Sequence, residues 1–126
     1  MSGDLKQDNL IENDKYTLLV DFIYDHYEDF KLLATCSDGT VFNDFLHNVV
    51  EIDVNYTMKF IESTGNNALI SGRGSPELFH MLSWSFLAGL FETVVHDMSK
   101  EQAVIYVNQL NNFFINGWSQ ILGMTQ

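Results

Sequence analysis

The sequence predicts an all-α fold, a domain of antiparallel helices, and three features carry that reading. One Pro and eight Gly in 126 residues leave long stretches free for helices and supply too few turns for a many-stranded β-sandwich. Apolar residues recur at spacings of three and four, the period of a helix face, rather than alternating. Ser75-Pro76-Glu77 and Ser99-Lys100-Glu101-Gln102 are strong helix starts, the first a capping hydroxyl with Pro and an acid just inside the helix, the second a capping box.

Residues 1–13 (MSGDLKQDNLIEN) are polar, with Leu5, Leu10 and Ile11 as their apolar anchors, and read as a tail or the remnant of a preceding helix. Residues 14–123 read as one domain. Asp14 can cap a first helix reaching about Ala34, with Leu18, Leu19, Phe22, Ile23, His26, Phe30 and Leu33 as its inner stripe. Asp21, Asp25, Glu28 and Asp29 fall mostly off that stripe. Ser37-Asp38-Gly39-Thr40 predicts a turn in which Gly39 takes a positive φ and Thr40 caps the next helix. That second helix runs from Val41 to about Ser63, buries Phe42, Phe45, Leu46, Val49, Ile52, Tyr56 and Phe60, and stops at Gly65-Asn66-Asn67.

The stretch from Ala68 to Gly74 is expected to be a loop, and its Gly72-Arg73-Gly74 is too short to cradle a phosphate. The third helix follows from Pro76 to about Asp97. The fourth opens on a capping box, in which Ser99 and Gln102 satisfy each other's backbone donors, and runs to about Leu122 with Gly123 as its stop.

Composition narrows the function classes. Apolar residues make up 46% of the chain and ten are Phe, enough at this length for a real core and too much for a disordered segment. The formal net charge is -11, and the six Lys and Arg stand singly, so a phosphate backbone is repelled and no direct nucleic-acid contact is expected. Cys36 is alone, which excludes an internal disulfide and cysteine-rich zinc sites. The closest approach to a membrane span, Leu78 to Phe91, is short and interrupted by His80, Ser83 and Ser85, so a cytoplasmic protein without a membrane partner is expected.

One feature departs from an ordinary helical domain. From Ala103 to Gln126 no residue is charged, and the polar positions there are Asn, Gln, Ser and Thr. The third helix is apolar on every side between Leu78 and Phe91. A helix half in water carries Lys and Glu on its outer face, whereas one apolar all round must be covered all round. One domain of this size cannot cover both helices, which predicts a homodimer whose last two helices form an intersubunit four-helix bundle. Trp84, Gly89, Phe113, Phe114, Gly117, Trp118 and Ile121 are the residues expected at that seam, where uncharged amides are cheaper to desolvate than ions.

The phrases FIYDHYEDFKLLATCSDGT, VFNDFLHNVVEIDVNYTMKFI and LSWSFLAGLFETVVHDMSKEQAVIYVNQLNNFFINGWSQILG together resemble the C-terminal domain of the tetracycline-repressor (TetR) family of transcriptional regulators. The resemblance covers about Asp14 to Gly123. It implies an effector-sensing and dimerisation domain in which the third and fourth helices build the bundle and the first two help enclose a ligand cavity. A helix-turn-helix would precede such a domain. The residues ahead of Asp14 do not contain one, so DNA contact is expected only from a segment not present here.

The candidate chemistry is binding rather than catalysis. A small lipophilic effector is expected in an aromatic cavity lined by Phe22, Phe30, Phe45, Tyr56, Phe60, Phe79 and Phe86, with His26 and Asp53 as the polar groups that orient it. Glu77-x-x-His80 has the spacing of a helical di-iron ligand pair. His47 with Glu51 and Glu92 with His96 are spaced by four instead, so the set does not close and neither metal nor cofactor is expected. Cys36 has no orienting neighbour, and the acids of the first helix suit a solvated face, so no enzyme activity is expected. The other reading is a stand-alone interaction module that forms heterodimers with full-length regulators.

Overall fold

The computed structural model describes residues 17–35 and 39–124. The tail at 1–13, the Asp14 cap, Cys36 and the Ser37-Asp38 half of the first turn lie outside them. Among the described residues every regular element is a helix. In chain order these are α1 (residues 17–25), α2 (Tyr27–Thr35), α3 (Thr40–Thr64), α4 (Ala68–Ser71), α5 (Pro76–Val95) and α6 (Lys100–Ile121).

The helix starts follow the local sequence. The Ser75 hydroxyl accepts the Leu78 N–H with Pro76 just inside the helix, and Ser99 and Gln102 complete their capping box. α3 ends in Gly65 at φ 68°, where the N–H groups of Gly65 and Asn66 both turn back to the Ile61 carbonyl. At the start of α3 the capping position belongs to Gly39 at φ 92° with no side-chain cap, rather than to Thr40.

The single first helix expected from the sequence is two. The chain breaks at His26, whose N–H is shared between the carbonyls of Phe22 and Ile23. The break rotates the inner face. Val20 and Ile23 are buried, whereas Leu18 and Phe22 turn outward, 67% and 53% exposed. The competing interaction is polar. The Tyr24 hydroxyl donates to the Met98 carbonyl at 2.8 Å, and Tyr27 and Lys31 both donate to the Asp97 carboxylate, so α1 and α2 are oriented by the end of α5. Lys100 adds an ion pair to Asp21 at 2.8 Å.

The expected loop from Ala68 to Gly74 contains the one-turn α4. Asn66 accepts the Ala68 N–H at 2.8 Å and donates to the Leu122 carbonyl at 2.9 Å, which nucleates the turn and ties it to the end of α6. Arg73 completes the tie, donating to the Ile121 carbonyl at 2.9 Å and to Asn67 at 2.6 Å. A cation at the negative end of α6 compensates the helix dipole where that helix has no charge of its own.

α5 is the helix around which the others pack, meeting α2, α3 and α6. Leu46, Val50, Leu90, Phe91 and Val94 form the centre of the main core with Val20 and Ile23, each worth roughly 1.5–3 kcal/mol when fully buried. A smaller core of Ile61, Ala68 and Phe79 is covered by Trp118 and Ile121. This central position is why α5 is apolar on nearly every side. At 20 residues it is also long and apolar enough to cross a membrane, which the interrupted run in the sequence did not suggest.

Candidate functional site

Two grooves bear on function, and each is lined in part by α5. Along α6, Ala103, Val107 and Asn111 point into the subunit, and Phe114 and Trp118 continue that stripe in edge contact with Phe86 and tilted contact with Phe79. The opposite stripe of α6, Ile105, Tyr106, Gln109, Asn112, Phe113, Asn116 and Gly117, is open to solvent. Phe113 is 73% exposed. Beside it runs a groove of about 380 Å³ lined by Leu82, Phe113, Phe114, Gly117, Trp118 and Ile121 together with Asn116 and Gln120. Not one of these residues is charged.

Five of the seven residues expected at a dimer seam, Phe113, Phe114, Gly117, Trp118 and Ile121, line this groove. The other two are used inside the subunit. Gly89 lets α6 approach α5, since a Cβ there would lie 3.2 Å from the Leu110 side chain. Trp84 is half-buried and packs on His47 of α3 at 4.6 Å between ring centroids.

The nine residues expected to line an effector cavity are not gathered in one place. Phe22, Phe30 and Phe45 belong to a connected array of rings around Phe91, with centroids 5.7–6.3 Å apart for Phe30 and Phe45, and Phe22 also packs on His26. The edge and tilted contacts of Phe30 and Phe45 fill space as core aromatics do, while Phe22 packs on Phe30 from the exposed side. Phe86 lies against Phe114, and Phe79 and Phe60 belong to the smaller core. Tyr56 faces outward, 73% exposed. His26 is held at the α1–α2 break with Nδ1 3.0 Å from the Phe22 carbonyl, while Asp53 accepts a hydrogen bond from Ser83 at 2.6 Å. Both polar groups therefore have structural partners on separate parts of the fold.

A second groove, of about 470 Å³, lies between α3 and α5. Glu51, Val54 and Asn55 form one wall, and Pro76, Glu77, His80 and Met81 the other. His80 stacks on His47 at 5.5 Å, and His47 in turn meets Trp84, so a row of ring faces leads away from the groove. The sequence spacing had presented Glu77 with His80 and His47 with Glu51 as two separate pairs. The fold sets them face to face across α3 and α5, a juxtaposition without a signal in the spacing of either helix. Among the described residues no three His, Cys, Asp or Glu side chains converge closely enough to hold a metal ion. Glu92 and His96 are bonded to each other at 2.9 Å.

Comparison with protein-family models, curated proteins and solved structures finds no match, so the functional reading rests on the fold and on these surfaces.

Proposed function

We propose that this chain is an effector-sensing and dimerisation domain of the kind found in tetracycline-repressor-like transcriptional regulators. In this reading it is an antiparallel helical domain whose α5 and α6 pair with the same helices of a second copy in a four-helix bundle, while its other helices serve a small lipophilic effector. The pairing of Phe79 with Trp118, Phe86 with Phe114 and Gly89 with Leu110 supports opposite directions for α5 and α6, since one number rises as the other falls.

The observation that carries the reading is the uncharged groove beside Phe113. In a protein of net charge -11, a helix face holding Ile105, Tyr106 and Phe113 without one ion is costly to leave in water and cheap to bury against its own kind. DNA contact belongs to none of the described residues. The test is the mass in solution. Light scattering at micromolar concentration is expected to give about twice the 14.4 kDa of one chain. A stable, soluble monomer would overturn the proposal.

A further inference from the structure

The groove between α3 and α5 has a chemistry of its own. Its walls bring one carboxylate from each helix, Glu51 and Glu77, to a space of about 470 Å³, with Asn55 one turn beyond Glu51 on the same wall. None of the residues lining it is Lys or Arg, so a cation entering it meets two carboxylates and no ammonium or guanidinium from those walls. Val54, Pro76 and Met81 make the rest of the lining apolar, and Met81 is a flexible side chain able to mould to different shapes. At one edge, His80 stacks on His47, which packs against Trp84, so that rim of the groove is a row of flat rings.

We infer that this groove binds an organic cation with an apolar body, held by Glu51 and Glu77 and seated against Val54, Met81 and His80. This rests on the sensing part of the proposed function and assigns it a place and a ligand class; it is independent of the dimer. A bare metal ion is a poorer fit on two counts. The groove is far larger than an ion, and its carboxylates and imidazole do not converge on one point. An anion would meet two carboxylates with no Lys or Arg among the lining residues to offset them.

The probe is tetraphenylphosphonium, with tetraphenylborate as an anion of the same size and shape and triphenylphosphine oxide as a neutral relative. Calorimetry on the full chain is expected to show saturable phosphonium binding that weakens as salt is added, because the groove is open to solvent. The borate is expected not to bind. Glu51→Gln with Glu77→Gln should weaken phosphonium binding about tenfold, the sum of two exposed charge contacts, and leave helicity unchanged because both side chains are solvent-exposed. Asp53→Asn should leave binding unaltered. The four histidines give a second readout free of substitutions: imidazole resonances of His47 and His80 should move on titration while those of His26 and His96 stay in place. Equal binding of the borate or the oxide, phosphonium binding indifferent to the double substitution, or absence of phosphonium binding would each overturn the inference. Binding of the neutral oxide alone would do so while leaving an effector-sensing role intact, and none of these outcomes touches the dimer, which is read from mass.

Discussion

The Ser83 hydroxyl donates to Asp53 Oδ2 at 2.6 Å, joining α5 to α3 across the middle of the fold. Ser83 is 4% exposed, while Asp53 retains access to water. The two ends of this bond are therefore unequal. Ser83→Ala leaves a carboxylate that water can resolvate, and is expected to cost under about 1 kcal/mol. Asp53→Ala strands a buried hydroxyl and is expected to cost about 1–2 kcal/mol. Urea unfolding of the two single variants and the double variant checks this. Equal single costs that simply add would show that the bond contributes nothing.

Gly117 offers a clean probe of association. A Cβ at this position meets nothing within 4 Å inside the subunit, so a larger residue fits the monomer. Gly in a helix interior is also about 1 kcal/mol worse than Ala. Gly117→Arg is accordingly expected to leave helicity intact and to halve the mass seen by light scattering, because it places an unpaired ion in the seam proposed for the dimer. Retention of the dimer by this variant would move the interface elsewhere. Gly117→Ala serves as the control.

Arg73 closes the C-terminal end of α6 through the Ile121 carbonyl and also holds Asn67. Arg73→Ala removes both bonds and the cation they hold at that helix end. A loss of about 1 kcal/mol is expected, and Arg73→Lys avoids most of it only if charge rather than the forked geometry matters. Hydrogen exchange in the last turn of α6 should rise in step with the lost stability.

The contact of Tyr27 and Lys31 with Asp97 makes stability depend on pH at both extremes. Hydrogen bonds from Lys31, then Tyr27, hold the Asp97 carboxyl below its ordinary 3.8. A folded value below the unfolded one means that this contribution is complete above about pH 4 and is lost as acid protonates the folded carboxylate. The hydrogen bond to Asp97 raises the Tyr27 phenol from 10.0 to about 12. Its contribution is complete below pH 10 and is lost as pH climbs from about 10 to 12. Tyr27→Phe should remove that alkaline limb from a plot of urea midpoint against pH. A limb that survives the substitution would assign it to other groups.

Local features were the most legible part of this chain. Ser75-Pro76-Glu77 and Ser99-Gln102 start helices where they stand, because a cap and its donors lie within four residues of each other. The rotation of helix faces was less legible. Ile52 and Tyr56 share a spacing with Phe45 and Phe60 yet turn outward, since the stripe that packs on α5 runs instead through Leu46, Val50 and Ile61. A stripe of apolar residues wider than the contact leaves more than one phase available, and only the facing helix selects among them. The α1–α2 break at His26 was hidden for a related reason. Nothing around His26 disfavours helix, and the groups that reorient the chain, Met98 and Asp97, lie about 70 residues away.

What the sequence determined by itself is the helical class, the helix starts and the uncharged character of α6 from Ala103 onward, all properties of neighbouring residues. The tertiary structure alone decided which aromatics are core, and it dispersed the nine expected cavity residues between two cores and the exposed surface. It also brought Glu51 and His47 opposite Glu77 and His80. The physical reason is that capping and helical periodicity are summed over a few residues, whereas a groove is created by the register between two helices. That register is fixed by packing at other points, here by Ser83 on Asp53 and Phe91 among its rings, and no spacing within α3 or α5 encodes it.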